Sequence, residues 1–256
     1  MKIFVIPDAQ VRPGSCIQHL IHAGLYAAEK KPDVIVCLGD WADMPSLSSY
    51  NIGKKSFEGR MYIEDIKAAK SAMYKFLKPI REEQARLRRN KEKQWNPRLV
   101  MTLGNHEERI SRVIENDRKL EGLVKIGDLE YTETFGWEVY PFLVPVSIGG
   151  VVFCHYFTSG VKGLACTTAS SLISKKHQSC IAGHQQGKQV AYATKADGST
   201  ITSMIIGSFY THDEDYMGPQ GNKHYRGCVM LHEVNEGSFD EMFISVDYLG
   251  KKYGKT

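Results

Sequence analysis

Short apolar runs separated by longer amphipathic stretches set the rhythm of this chain. Strand-like runs recur at 2–6, 34–38 (VIVCL), 98–103 (RLVMTL), 151–154 (VVFC), 179–182 (SCIA), 201–207 (ITSMIIG), 227–233 (GCVMLHE) and 240–246 (DEMFISV). Between the first three, residues 16–30 place Ile17, Leu20, Ile21, Leu25 and Ala28 on one helical stripe, and 61–90 read as a long charged helix. Residues 107–120 then carry Ile110, Val113, Ile114 and Leu120 on one face. Strand alternating with helix predicts parallel βαβ units in the first half. The second half reads mostly as strand, with one helical piece near 163–177. No repeat, low-complexity segment or linker divides the 256 residues. The expectation is a single domain over 1–256, with two sheets flanked by helices.

Composition changes this picture little. Hydrophobic residues make up 42% of the chain, enough for a sizeable core. A net charge of +4 permits a phosphate-rich partner without demanding one. The cysteines at 16, 37, 154, 166, 180 and 228 form no Cys-x-x-Cys pair, and several lie inside apolar runs. They read as reduced core thiols of a cytoplasmic protein. The chain opens on a strand-like segment rather than a leader, and its longest mostly apolar stretch, about 141–154, is too short and too broken to span a bilayer. The most basic stretch is KFLKPIREEQARLRRNKEKQ at 75–94. It reads either as a solvated helix face laced with ion pairs or as an arm that holds nucleic-acid phosphates.

The chemistry collects where strands end. After 2–6 come Asp8 and Gln10, whose i, i+2 spacing points both side chains the same way in extended chain. After 34–38 comes GDWAD, with Asp40 and Asp43; after 98–103 comes GNHEER, with Asn105, His106 and Glu107. His155 follows 151–154, and GHQQ, with His184 and Gln186, follows 179–182. Open α/β sheets gather their sites at the carboxyl ends of strands. Carboxylate, imidazole and carboxamide donors without cysteine suit hard to borderline divalent ions. Glycines before Asp40, Asn105 and His184 allow tight turns there. Asp43 can serve its own turn or support the site. His19 and His22 read as surface or partly buried groups, and Tyr156 as core or substrate platform. His224 and Arg226 offer a possible phosphate contact near a late strand.

The order Asp-x-Gln, Gly-Asp-x-x-Asp, Gly-Asn-His-Glu, His, Gly-His-x-Gln resembles the calcineurin-like metallophosphoesterase superfamily over roughly residues 2–190. The wording Gly-Asn-His-Glu-Glu-Arg and the chain's size resemble small bacteriophage-encoded members, which would place it in a host cytoplasm. The resemblance implies a four-layered αββα sandwich of two mixed sheets with a dinuclear site at the strand C-terminal edge. It implies Asp40 as bridging ligand and Asn105, His155 and His184 as the rest of one metal site. Asp8, Gln10 and Gln186 would complete the other, and His106 would assist the leaving oxygen while a metal-bound hydroxide attacks phosphorus in line. Arg12 and Arg109 are the candidate phosphate-binding residues. The family has histidine where this chain has Gln10 and Gln186. Both departures fall on one site, which predicts a weaker site tuned to Mn²⁺ or Mg²⁺ rather than Zn²⁺ or Fe²⁺, beside a tight one; a site that has lost its metal is the alternative. The expected function is a metal-dependent phosphodiesterase or nuclease acting on DNA, RNA or nucleotides. The alternatives are a phosphomonoesterase, such as a Ser/Thr protein phosphatase, and a non-catalytic binding module.

Overall fold

The computed structural model describes residues 1–254 with the exception of Ile52. Strand β1 (Ile3–Ile6) shows how the layers arise. All four of its side chains are buried, and they alternate. Ile3 and Val5 join a core between two sheets, while Phe4 and Ile6 join a core beneath helices. A strand with an apolar surface on both faces needs a layer on each side.

The first half follows the predicted alternation. Strand β1 leads to α1 (Gln18–Lys30), β2 (Val34–Cys37), α2 (Tyr62–Arg89), β3 (Arg98–Thr102), α3 (Glu108–Asn116) and β4 (Glu138–Tyr140). Strands β1 to β4 are mutually parallel. In the second half come β5 (Val146–Ile148), β6 (Val151–Cys154), α4 (Ala169–Lys176), β7 (Cys180–Ala182), β8 (Lys188–Thr194) and β9 (Thr200–Ile206). After them come α5 (Gly218–Gly221), β10 (Gly227–Asn235), β11 (Ser238–Ser245) and α6 (Val246–Tyr253). One sheet runs β11-β10-β1-β2-β3-β4 and the other β5-β6-β7-β9-β8. Both mix parallel and antiparallel pairs. Helices α1, α2 and α6 pack together outside the first sheet, and α4 packs on the second. The result is the four-layered αββα sandwich.

Several elements depart from the sequence reading. Strand β8 was not foreseen, because it is the half-exposed edge of its sheet and lacks an apolar run. The short strands β4 and β5 and helix α6 were missed as well. Helix α3 stops at Asn116, because the Asp117 side chain accepts from the Lys119 amide and caps a separate turn. Of the six cysteines five are buried, while Cys16 is exposed. No described helix is long and apolar enough to cross a membrane.

The basic stretch also falls in an unexpected place. The start of α2 lies beside the loop after β2, where the Ser46 amide donates to Asp65 Oδ2 at 2.9 Å. The helix then runs for 28 residues, about 42 Å. Its last turns meet the chain ahead of β2, where Lys31 pairs with Glu83 at 2.8 Å. Segment 75–94 therefore sits at the edge opposite the strand ends that carry Asp40 and Asn105. Arg86 is engaged there by Glu83 and Glu92.

Candidate metal centre

Five strands deliver the predicted residues to one edge: β1, β2 and β3 from the first sheet, β6 and β7 from the second. The loops are fastened to each other. The Gln10 amide donates to the Asp40 carbonyl at 2.8 Å, and the Phe209 amide to the Asp8 carbonyl at 2.8 Å. The His184 amide donates to both Asp8 carboxylate oxygens, at 3.1 and 3.0 Å, which joins the two sheets across the site. Gln10, Asp40 and His184 all have left-handed backbone, with φ of 41°, 48° and 64°. Such positions cost on the order of 1–3 kcal/mol each and persist where the surroundings enforce them. Here the interlocking hydrogen bonds do so. At Gly104 and Gly183 an added Cβ would lie 2.0 Å from an Asp40 oxygen and 2.4 Å from an Asp8 oxygen. Only glycine lets these loops close on the carboxylates.

Glu107, singled out in the sequence as a polar residue after β3, points away from the cluster. It is fully buried and accepts from the amides of Asp40 (2.9 Å), Gly104 (2.9 Å) and Ala42 (3.0 Å), and from the Tyr131 hydroxyl (3.3 Å). Its carboxylate ties the β2 loop to the β3 loop. Burial, with the nearby Asp40 charge, pushes its pKa up.

Ligand atoms of Asp40, His155 and His184 lie within 4.8 Å of one another. His155 Nδ1 is 2.7 Å from the Leu38 carbonyl, which can only accept, so Nδ1 carries a proton. In the neutral ring Nε2 then presents a lone pair. It faces Asn105 Oδ1 at 2.8 Å and Asp40 Oδ2 at 3.4 Å, both of them acceptors. Asp40 Oδ1 accepts from the His106 amide at 2.8 Å, which turns Oδ2 toward this cluster. Burial holds His184 neutral, with its pKa lowered to about 4, so it adds another lone pair. One proton can serve one or two of these atoms; a cation serves them all. The donor set thus fits a divalent ion. Burial would raise the Asp40 pKa, but the neighbouring His106, through its charge and its backbone amide, outweighs it and lowers the Asp40 pKa below the usual carboxylate value. Burial pushes Asp8 the other way, well above the usual carboxylate range, and the Asp40 charge adds to the rise. A cation between these groups would relieve the repulsion that raises Asp8.

His106 stands beside the cluster, its Nε2 3.6 Å from Asp40 Oδ2. Its Nδ1 is 2.8 Å from Asp43 Oδ1, so Asp43 orients the ring rather than merely closing its own turn. Arg109 donates from Nη1 to the Asp43 carbonyl at 2.7 Å, and its Nη2 lies 3.1 Å from His106 Nε2. Arg12 is held between Glu214 (3.4 Å) and Asp43 (3.6 Å), a tie with no signal in the sequence because 202 residues separate Arg12 from Glu214. The two glutamines are less well engaged. Gln186 donates from Nε2 to the Tyr210 hydroxyl at 3.4 Å. Gln10 is buried, yet its carboxamide forms no hydrogen bond with any described residue. Among the other histidines, His19 bonds the Phe209 carbonyl at 2.8 Å, and His224 uses both ring nitrogens, on Ser208 and Gly221.

No family model matches the sequence. No curated protein matches it either. The solved structure of YfcE, a phosphoesterase from E. coli, superposes with a TM-score of 0.40 at 12% identity, over 96% of this chain and 100% of that one. A likeness of that size carries no argument about chemistry, which rests on the side chains themselves.

Proposed function

We propose that this protein is a metal-dependent phosphoesterase. The observation that carries the reading is the convergence of lone pairs at Asp40, Asn105, His155 and His184, with an oriented histidine and a guanidinium next to them. Those four residues would hold one ion, and Asp8, Gln10 and Gln186, with Asp40 shared, the second and weaker one. A bound divalent ion supplies Lewis acidity, polarising a phosphoryl oxygen and acidifying water. The chain's own residues do the rest. Arg109 receives the anionic phosphoryl group, which draws its guanidinium away from His106 Nε2. His106, held through Nδ1 by Asp43, then exchanges a proton with the leaving oxygen from Nε2. Phosphate and carbonyl-rich surroundings favour a hard ion such as Mn²⁺ or Mg²⁺ over Zn²⁺.

The test is hydrolysis of bis-p-nitrophenyl phosphate with Mn²⁺. Activity is expected with the ion and none in EDTA; turnover undiminished by thorough chelation would overturn the reading. Running p-nitrophenyl phosphate in parallel separates the diesterase that the sequence suggested from a monoesterase. The basic segment 75–94 lends the nuclease reading no support at the site, since it lies at the opposite edge of the sheet.

A further inference from the structure

A cleft of about 590 Å³ opens from the candidate metal centre and shares Asn105 and His184 with it. That volume is within the range of about 300–1,000 Å³ usual for small-molecule sites. Its long wall is one face of α3 and the turn after it, from Arg109 through Arg112, Val113 and Asn116 to Leu120. The helical part, Arg109 to Asn116, spans about 10 Å of this wall, and the separate turn to Leu120 extends it. The charged side chains among the described lining residues are ordered along it. Arg109 and Arg112 stand toward the metal end, and Asp117 lies at the far end. Arg112 forms no hydrogen bond or ion pair with any described residue, so its charge is available at the rim. It lies one helical turn beyond Arg109, which already touches His106. Tyr50 and Phe57 also line it, with serines 46, 48 and 49, and Tyr156 lies at the metal end with its ring 4.8 Å from that of His184.

From these features we infer that the cleft binds a nucleotide bearing two linked phosphates. This inference rests on the phosphoesterase reading and names its substrate class. The terminal phosphoryl group lies at Arg109 and the metal centre, and the next phosphate at Arg112. The flat nucleoside lies among the aromatic side chains, where stacking contributes about 1–3 kcal/mol per base. Cleavage at the terminal phosphorus consumes one water and yields a nucleoside monophosphate and inorganic phosphate. A cleft that ends at Leu120 suits a small molecule better than a continuous strand.

The full-length protein tests this. Calorimetry with the non-hydrolysable α,β-methylene analogue of adenosine 5′-diphosphate in the presence of Mn²⁺ compares wild type, Arg112→Gln and Val113→Trp, and the same proteins are assayed on bis-p-nitrophenyl phosphate with Mn²⁺. Binding is expected in the wild type, about tenfold weaker in Arg112→Gln through loss of one charge-assisted contact. Val113→Trp, which fills the cleft, is expected to lose binding; Arg112→Gln, at the exposed rim, keeps the test valid if Val113→Trp misfolds. No binding, equal affinity in all three, or a single-stranded oligonucleotide binding equally to all three would overturn the inference. Failure of the phosphoesterase reading looks different: the diphosphate binds in the expected order, while no Mn²⁺-dependent hydrolysis of any phosphoester appears.

Discussion

The two halves of the candidate metal centre are built to different standards. Around Asp40 three of the four donors are pinned by hydrogen bonds, and the His184 ring packs against His155 and Tyr156. Glu107 holds the Asp40 and Gly104 amides, Leu38 fixes the His155 tautomer, and the His106 amide turns the Asp40 carboxylate. Around Asp8 the carboxylate is held by the His184 amide, but the two glutamines are not. The Gln10 carboxamide has no hydrogen bond with any described residue, and Gln186 reaches only tyrosine hydroxyls, Tyr210 at 3.4 Å and Tyr216. A site whose ligands are already positioned pays little ordering entropy when an ion binds, whereas loose carboxamides must be ordered by the ion itself. On the proposed reading, the contrast predicts tighter binding at the Asp40 position and weaker binding at the Asp8 position, independently of which ion each receives.

The largest effects are expected on the pinned half. Asp40→Asn should reduce hydrolysis below detection and abolish the tighter calorimetric site. His106→Ala should slow turnover by about 10²–10⁴ while ion binding stays near normal. If His106→Ala emptied the site instead, its place outside the ligand set would be wrong. Glu107→Ala leaves three buried amides without an acceptor and should cost about 3 kcal/mol or more of stability, read by urea unfolding. A stability change near zero would show that this clamp does not hold the loops.

The looser half answers to pH. His19 bonds the Phe209 carbonyl, and Phe209 in turn holds Asp8, so this buried ring supports the turn that carries Tyr210 to Gln186. Burial lowers its pKa to about 4 in the folded state, from an ordinary 6.5. Between those values the unfolded chain binds a proton that the folded chain refuses, so stability falls as pH drops through this window. Relative to His19→Gln, the wild type should lose up to about 3 kcal/mol between pH 6.5 and 4, with no such difference above pH 7. Parallel curves for the two proteins would mean that His19 is not held neutral.

The smallest expected effect is the one most specific to the comparison. Gln10→His combined with Gln186→His should strengthen the weaker site about tenfold for Zn²⁺ relative to Mn²⁺, because imidazole suits the softer ion. A calorimetric titration of both proteins reads this directly. One site in each, unchanged by the substitutions, would show that the glutamines contact no ion.

The residues that bring donors to one edge were legible without coordinates. Asp8, Asp40, Asn105, His155 and His184 each follow a buried strand directly, and strand ends in an open α/β sheet share an edge whatever the loops do. The alternation of β1 to β3 with α1 to α3 is legible for the same reason: periodicity is a property of neighbouring residues. Strand β8 escaped because an edge strand buries too little to leave an apolar run.

What side chains do to one another across the fold was decided by tertiary structure alone. Glu107 reads as one more donor in Gly-Asn-His-Glu, yet the turn rotates it inward onto three amides from two loops. Asp43 reads equally as turn chemistry or as support for the site, and only the fold shows it orienting a ring 63 residues away. The basic stretch 75–94 reads as a solvated helix face or a phosphate-binding arm, and its place at the edge away from the site is set by the 28-residue helix that carries most of it. The cleft joins the loop after β2, the face of α3 and the loop after β6, segments spread over more than a hundred residues of chain. Local sequence sets which residues leave a strand and in which direction the chain turns. Distances between separate loops depend on how the layers pack, and no short window of sequence contains that information.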